Sequence, residues 1–286
     1  MMKEEALALI HTFGLERVAD VLESLMLPAI RLHEPLMSDQ QVPLGVSKLG
    51  GTPDLPPEIA WPEWKGVPLA FIAQFHLPEL AAYDSEQVLP KDGWLYFFYE
   101  ADEQPWGFEP AHFGAWRVFH YAGELAQLQR AARPHALPKW SRFHARTVTY
   151  EPAIALPEYD ALAIAALELS QSEVDRYLEV FCKVNALGHQ LLGHPMQIQG
   201  EMQMTCELGM RAATFEERGT LYDDPATKTQ AMQWRLLLQV DSMDNSPQNG
   251  DQGTSWGEVG QIYYWIRQED LKARDFSQVW LQLQCA

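Results

Sequence analysis

Two parts of the chain resemble each other in the same order, and this self-similarity constrains the fold more than any single motif does. Residues 69–75 (LAFIAQF) resemble residues 235–240 (RLLLQV), and residues 93–98 (GWLYFF) resemble residues 260–265 (GQIYYW). Two further matched pairs are residues 49–53 with 192–195, and residues 113–118 with 276–281. A repeated order of this kind predicts that one supersecondary unit occurs twice.

The spacing of the matched stretches supports an internal duplication. The interval from residue 74 to residue 93 is 19 residues, and the interval from 239 to 260 is 21. The interval from residue 53 to residue 74 is 21 residues, whereas the interval from 195 to 239 is 44, which indicates an insertion around residues 201–230. We therefore expect pseudo-repeats at residues 42–150 and 170–286.

The local patterns favour a mainly β fold of the α+β class. Amphipathic spacing predicts a kinked helix or two short helices over residues 3–27, and the Ser170–Glu173 spacing is that of a capping box opening a second clear helix. We expect one domain over residues 1–286, with a helical segment at residues 1–40. Short strands rich in aromatic and aliphatic residues are predicted at residues 69–75, 93–99, 115–121, 234–240 and 261–266.

Charge and cysteine content narrow the class of protein. The formal net charge is −18, and no cluster of Lys and Arg is present to bind phosphates, so neither nucleic acid nor an anionic membrane is an expected partner. No apolar run exceeds seven residues, which is too short to span a membrane. Three widely spaced cysteines and an acidic N-terminus favour the cytoplasm.

Several motifs, taken in order, resemble the YwqG-like family, a domain of unknown function. The resemblance implies a predominantly β fold in one unit and no established activity, substrate or catalytic residue. This chain has Glu258 where the family pattern has Asp, so no role that needs the shorter carboxylate is expected. The motifs are SKLGG at residues 47–51, WP at 61–62, PLAFIAQ at 68–74, HQLLGHP at 189–195 and WGEVG at 256–260.

The SKLGG stretch has two interpretations. Lys48 and the backbone N–H groups of Gly50 and Gly51 could hold an anion, because paired glycines permit the positive φ of an anion-binding nest. The favoured interpretation is a tight turn that lets a strand pack closely. It is not a P-loop, because the G-K-[ST] order is absent.

The histidines and glutamines of the repeated stretches are further candidates. His189 and His194, with Asp241 or Glu258 nearby in the fold, could serve as a base or as ligands, although ordinary hydrogen-bonded histidines are favoured. Gln74 and Gln239 follow matched apolar runs, so each amide is expected to enter the interior and to need hydrogen-bond partners. The favoured interpretation is that each amide ties a neighbouring loop to its strand; the alternative is that the two amides meet and bind a ligand.

The remaining candidates lie in loops. Residues 241–258 form a polar stretch with oxygen ligands that suit Ca²⁺ or Mg²⁺, but a solvated loop is favoured and no metal or cofactor is assigned. Tryptophans beside Pro or Gly could anchor a partner or cover the core, and core cover is favoured; these are Trp61, Trp64, Trp106 and Trp256.

Two functional hypotheses follow, and neither decides whether the protein is an enzyme. The first is a cytoplasmic binding protein that meets a basic protein partner, an immunity-like protein being one form of it. The alternative is a small-molecule-binding protein or enzyme with a pocket between the two pseudo-repeats. The side chains expected to converge there are Lys48, Gln74, His189, His194, Gln239 and Asp241.

Overall fold

The strands of the chain alternate inward and outward side chains and assemble into two main antiparallel sheets. The computed structural model describes residues 1–35, 41–243, 251–257 and 259–286. In chain order, the strands are β1 (Leu27–His33), β2 (Lys48–Leu49), β3 (Asp54–Leu55), β4 (Glu63–Trp64), β5 (Val67–Pro68), β6 (Ala70–His76), β7 (Trp94–Tyr99), β8 (Trp116–Tyr121), β9 (Gln129–Arg130), β10 (Arg146–Thr147), β11 (Thr149–Ala155), β12 (His189–Leu192), β13 (Trp234–Asp241), β14 (Gly260–Arg267) and β15 (Trp280–Cys285).

Helices cover the chain's beginning, its middle and the segment between β12 and β13. They are α1 (Lys3–Thr12), α2 (Ala19–Leu25), α3 (Leu77–Leu80), α4 (Leu162–Ala165), α5 (Gln171–Val184), α6 (Gln203–Met210), α7 (Phe215–Asp223), α8 (Pro225–Ala231) and α9 (Gln268–Ala273). The α+β class is confirmed, and no helix among the described residues is long and apolar enough to cross a membrane. The predicted strands of both halves are confirmed to within one residue at each end.

The two main sheets place their strands in the same relative order. The five-stranded sheet has the order β10-β2-β6-β7-β8, and the six-stranded sheet has the order β11-β1-β12-β13-β14-β15. The β6–β7 pairing shifts register between Phe71 and Ala73, and the β13–β14 pairing shifts register between Leu236 and Leu238. Both sheets therefore contain an irregularity at the matched position, in the three residues that precede Gln74 or Gln239.

The inner faces of the two sheets pack against each other and form the main core. Phe97 of β7 meets Tyr264 of β14 with ring centroids 5.0 Å apart, and the Tyr264 hydroxyl donates to the Phe98 carbonyl at 3.2 Å. Leu49 and Leu238 belong to the same buried cluster and are fully buried. Because side chains alternate along a strand, the residues next to these in sequence point to the outer faces of the sandwich.

The first forty residues depart from the sequence prediction. Helices α1 and α2 form as expected, but residues 27–33 are the strand β1, which pairs with β11 on one side and β12 on the other. The helical segment predicted at residues 1–40 therefore also contains a strand, which the sequence analysis did not predict. Pro28 cannot continue a helix because it lacks the N–H donor, and buried Ile30 and Leu32 face the main core.

The helix predicted at Ser170 is confirmed as α5. The Ser170 backbone N–H donates to the Glu173 carboxylate at 2.9 Å, as the capping spacing predicts. Tyr177 and Phe181 of α5 pack with Ile10 and Leu22 of the N-terminal helices in a second buried cluster. These helices form a separate layer beside the outer strands of the six-stranded sheet.

Candidate functional site

Gln74 ties a loop to the outer face of the five-stranded sheet. Its Oε1 accepts the Asp54 backbone N–H at 2.8 Å, and its Nε2 donates to the Val46 carbonyl at 2.9 Å. The Tyr96 hydroxyl donates to the Asp54 carbonyl at 2.5 Å. The amide is fully buried and satisfied by its own sheet and loop.

Gln239 makes the same set of bonds in the six-stranded sheet. Its Oε1 accepts the Met196 backbone N–H at 2.9 Å, and its Nε2 donates to the Gly188 carbonyl at 2.8 Å. The Tyr263 hydroxyl donates to the Met196 carbonyl at 2.6 Å. Gln74 and Gln239 lie on opposite outer faces of the sandwich, so they do not meet at a shared ligand.

Lys48 belongs to a buried ionic cluster rather than to a pocket shared by the halves. Its Nζ lies 3.4 Å from Oδ2 of Asp54, and both side chains are fully buried. Arg130 donates from Nε to Oδ1 of Asp54 at 2.5 Å, and Gln74 donates to Oδ2 at 2.8 Å. At the matched positions of the second half, Gln190 and Met196 replace the Lys48–Asp54 pair.

The glycine pair forms the tight turn. Gly50 and Gly51 have φ of +61° and +73°, and their N–H groups donate to the carbonyls of Ile72 and Phe143 at 2.9 and 2.8 Å. A Cβ on Gly50 would lie 2.1 Å from the His144 carbonyl oxygen. Both amides are thus used within the fold and are not free to hold an anion.

His189, His194 and Asp241 are not brought together as a catalytic group. His189 Nδ1 accepts the Asp241 backbone N–H at 2.9 Å, and its Nε2 lies 3.5 Å from Glu34 Oε1. His194 Nε2 instead donates to the Leu25 carbonyl at 2.8 Å. The Asp241 carboxylate accepts the backbone N–H of the next residue, Ser242.

Of the loop candidates, Trp256 lies in the core, whereas Glu258 and part of the polar loop are outside the described residues. Trp256 is fully buried and packs edge-on against Tyr99 and Phe143. Glu258, and residues 244–250 of the polar loop, lie outside the described residues. Within the described ranges, no group of three or more His, Cys, Asp or Glu side chains is placed to hold a metal ion.

A cavity of about 360 Å³ lies against the six-stranded sheet. Its walls come from the end of α2, the loops after β11 and β12, the start of α6, and strands β13 and β14. This volume is within the range of pockets that hold small organic molecules. Of the side chains singled out in the sequence, His194 lines this cavity.

Buried polar atoms in the cavity wall lack partners. Trp265 is 3% exposed and its indole N–H has no hydrogen-bond acceptor among the described residues. The Gln197 side-chain oxygen likewise has no donor in the described part of the chain. The neighbouring Trp234 differs, because its indole N–H donates to the Glu207 carboxylate at 3.0 Å. An unpartnered buried donor and acceptor in one wall are groups that a ligand can satisfy.

The titratable groups of the cavity are perturbed mainly by burial. Burial, with a smaller contribution from Asp160, raises the pKa of Glu158 to about 7. Burial also raises the pKa of Glu201 above its ordinary value and lowers the pKa of His194 to about 4. His194 is therefore neutral at pH 7, and its hydrogen bond to Leu25 places the proton on Nε2.

One edge of the cavity is formed by an ion pair. Arg235 Nη2 lies 2.5 Å from Glu86 Oε2, and both residues also line a neighbouring depression of about 350 Å³. That depression also contains Lys272 and Arg274. The guanidinium of Arg235 is thus already neutralised by Glu86.

Most of the cavity residues were not found by sequence reasoning. Glu158, Trp265 and Arg235 come from separate elements, and no local spacing connects them. The one available signal was the insertion expected around residues 201–230, since helices α6 to α8 occupy that segment and Glu201 and Met232 line the cavity at either end of it. An insertion over a sheet face is a place where a cavity can form.

The comparisons with known proteins place the chain in a family. A search of curated proteins finds no match. The family model described as "Domain of unknown function (DUF1963)" matches residues 47–285, which include both main sheets except β1. The chain belongs to this DUF1963 family, which is the family associated with YwqG-like proteins, as the sequence motifs predicted.

Proposed function

We propose that the protein binds a small organic molecule in the cavity against the six-stranded sheet. The observation that carries the proposal is the unpartnered indole N–H of Trp265, buried in the wall of an open, mostly apolar cavity. Leaving such a donor unsatisfied costs about 1–3 kcal/mol, and a bound ligand would recover that free energy. The proposal assigns binding and no reaction.

The location of the cavity differs from the seam expected between the pseudo-repeats. Its walls come from the six-stranded sheet and the helices beside it, together with Glu86. We infer that the two halves arose by duplication, supported by the matched glutamine bonds and strand orders. On that view, the cavity is a feature that the second half acquired with its inserted helices.

A thermal-shift screen of a metabolite library tests the proposal. We expect at least one compound to raise the melting temperature of the native protein by a few degrees, since a ligand at 100 times its Kd adds about 2.7 kcal/mol. The variant Ala163→Trp places an indole at the cavity wall and should lose that response. Ala166→Trp, on the same short helical segment but outside the wall, is the matched control. A screen with no responding compound would overturn the proposal.

A protein partner is the second candidate function, and Trp140 favours it. Trp140 is 56% exposed, an unusual position for a large aromatic side chain, and its indole N–H donates to Asp102. Trp256 is fully buried and Trp61 donates to the Leu69 carbonyl at 2.8 Å, so neither is a suitable anchor. With a net charge of −18, a basic partner in the cytoplasm, of the immunity type or otherwise, remains our proposal for this surface.

A further inference from the structure

The charges that line the cavity are unbalanced. Three carboxyl groups, those of Glu86, Glu158 and Glu201, and one guanidinium, that of Arg235, belong to its wall. Arg235 is paired with Glu86 at 2.5 Å, so its positive charge is already balanced by that carboxylate. An anionic ligand would therefore meet uncompensated negative charge in a partly enclosed space.

Of the two remaining carboxyl groups, Glu201 is already used by the fold. It accepts the backbone N–H groups of Gln203 and Met204, at the first turn of α6, the second at 3.0 Å. These bonds hold its oxygens at the helix terminus. Glu158 also accepts backbone N–H groups, those of Gln197 and Tyr159, but it lies in a loop rather than at a helix terminus and forms no ion pair with any described residue.

The groups that face Glu158 supply no positive charge. Asp160 lies in its own loop, Tyr177 faces it from α5, and Tyr263 faces it from β14. The two tyrosine hydroxyls donate elsewhere, to the carbonyls of Pro157 and Met196. Across the cavity, His194 is neutral at pH 7 because burial holds its pKa near 4. A cation for Glu158 must come from outside the described chain.

The rest of the wall suits an apolar body. Trp234, Trp265, Leu236 and Met232 line the same cavity. Aromatic faces attract cations and also pack against hydrocarbon. The unpartnered Gln197 oxygen is a further acceptor for an N–H group.

We propose that the ligand of this cavity is a protonated amine with an apolar or aromatic body, its ammonium group paired with the Glu158 carboxylate. This inference rests on the binding function proposed above. It names the class of ligand from the unpaired carboxyl group, the neutralised arginine and the aromatic wall. The Gln197 oxygen accepts a second ammonium hydrogen.

Binding of such a ligand depends on pH with a definite sign. The pKa of Glu158 is about 7 in the free protein, so near pH 6 the carboxyl group is mostly protonated and must lose its proton to pair with an ammonium. Affinity therefore rises with pH, by roughly tenfold between pH 6 and pH 8. His194 does not contribute in this window, because its pKa of about 4 lies below it.

A matched series of probes tests the ligand class by titration calorimetry. Phenethylamine, 2-phenylethanol and phenylacetate share one aromatic body and carry an ammonium, a hydroxyl and a carboxylate group. We expect the amine to bind at least tenfold more tightly than the alcohol at pH 8, as a charge-assisted hydrogen bond allows, and phenylacetate not to bind.

Two variants connect the effect to Glu158. Glu158→Gln should weaken phenethylamine binding by about tenfold and remove its pH dependence between pH 6 and pH 8. Glu158→Asp keeps the charge and should keep the pH dependence. That result would show that the effect of Glu158→Gln comes from the lost carboxylate and not from any substitution at this position. Glu179→Gln, on an exposed position of α5, is the control and should bind as the native protein does.

The outcomes separate the ligand class from the binding function. Equal binding of the alcohol, or tighter binding of the carboxylate, would overturn the amine assignment and leave the cavity as a binding site. Library compounds that bind while phenethylamine does not would have the same consequence. If neither the probes nor the library bind, both proposals are wrong.

Discussion

At the residue scale, buried polar side chains in this protein mostly hold the fold together. Gln74 and Gln239 show the loop-tying arrangement that the sequence reasoning favoured over ligand reading. A buried amide that follows an apolar run must have partners, so the sequence could predict the need for bonds. It could not predict the partners, because Met196 and Gly188 reach Gln239 only through the strand pairing.

The bonds of Gln239 make a direct prediction for stability. Gln239→Leu leaves the half-buried Met196 N–H and Gly188 carbonyl without their side-chain partner, so the free energy of unfolding should fall by about 2 kcal/mol. Urea denaturation followed by tryptophan fluorescence measures this loss. The exposed substitution Gln171→Leu at the start of α5 is the control and should cost much less. An equal, small effect of both substitutions would contradict the role of Gln239.

At the element scale, the two main sheets contain similar strand and turn arrangements whose buried polar groups differ. In the first half, Lys48 and Asp54 form a buried ion pair that Arg130 extends. In the second half, Gln190 and Met196 occupy the matched positions. Gln190 donates to the carbonyls of Leu192 and His194, so the unit is satisfied there without charges.

This difference predicts strong coupling between Lys48 and Asp54. Asp54→Met alone leaves the Lys48 ammonium buried without its carboxylate, which should cost about 3–5 kcal/mol. The double variant Lys48→Gln with Asp54→Met copies the second half and should recover about 2 kcal/mol or more relative to the sum of the single changes. A double-mutant cycle from urea denaturation measures this coupling.

The cycle has a matched negative control. Lys48→Gln combined with Met196→Leu changes two positions on opposite faces of the sandwich. Their effects on the free energy of unfolding should add within about 0.5 kcal/mol. If the Lys48 and Asp54 changes were also additive, the ion pair would not be the reason that the two positions differ between halves.

At the scale of the whole molecule, charge and the exposed Trp140 predict how a partner would associate. With a net charge of −18, association with a basic protein should be fast at low salt and slow down several-fold by roughly 0.5 M NaCl, where exposed charges are screened. The rate is measured on a biosensor that carries the immobilised tagged protein. Host lysate is passed over it first, and then the purified partner.

Variants at two exposed apolar positions provide the control for that measurement. Trp140→Ala should weaken capture by tenfold or more, whereas Leu187→Ala, which removes a side chain that is 77% exposed elsewhere, should not. Association that neither salt nor Trp140→Ala changes would remove the basis of the partner proposal.

The sequence by itself determined the local elements and the family. Short runs of aromatic and aliphatic residues predicted β6, β7, β13 and β14, the Ser170–Glu173 spacing predicted the start of α5, and the ordered motifs predicted the YwqG-like resemblance. These features depend on residues close together in the chain, because a short apolar run and a helix-capping pair are both local patterns. Beyond Pro28, the strand β1 was missed, because its partners β11 and β12 lie more than a hundred residues away.

Only the tertiary structure decided where the candidate site lies. The six side chains expected at one seam are divided between two sheets, since the alternation of a strand places Gln74 and Gln239 on opposite outer faces. The cavity is instead assembled from Glu158, Trp265 and Arg235, on separate elements, with only His194 marked beforehand. Its charge imbalance and its buried unpaired groups arise because elements far apart in the chain pack together. The local spacing of residues does not specify which distant elements will meet.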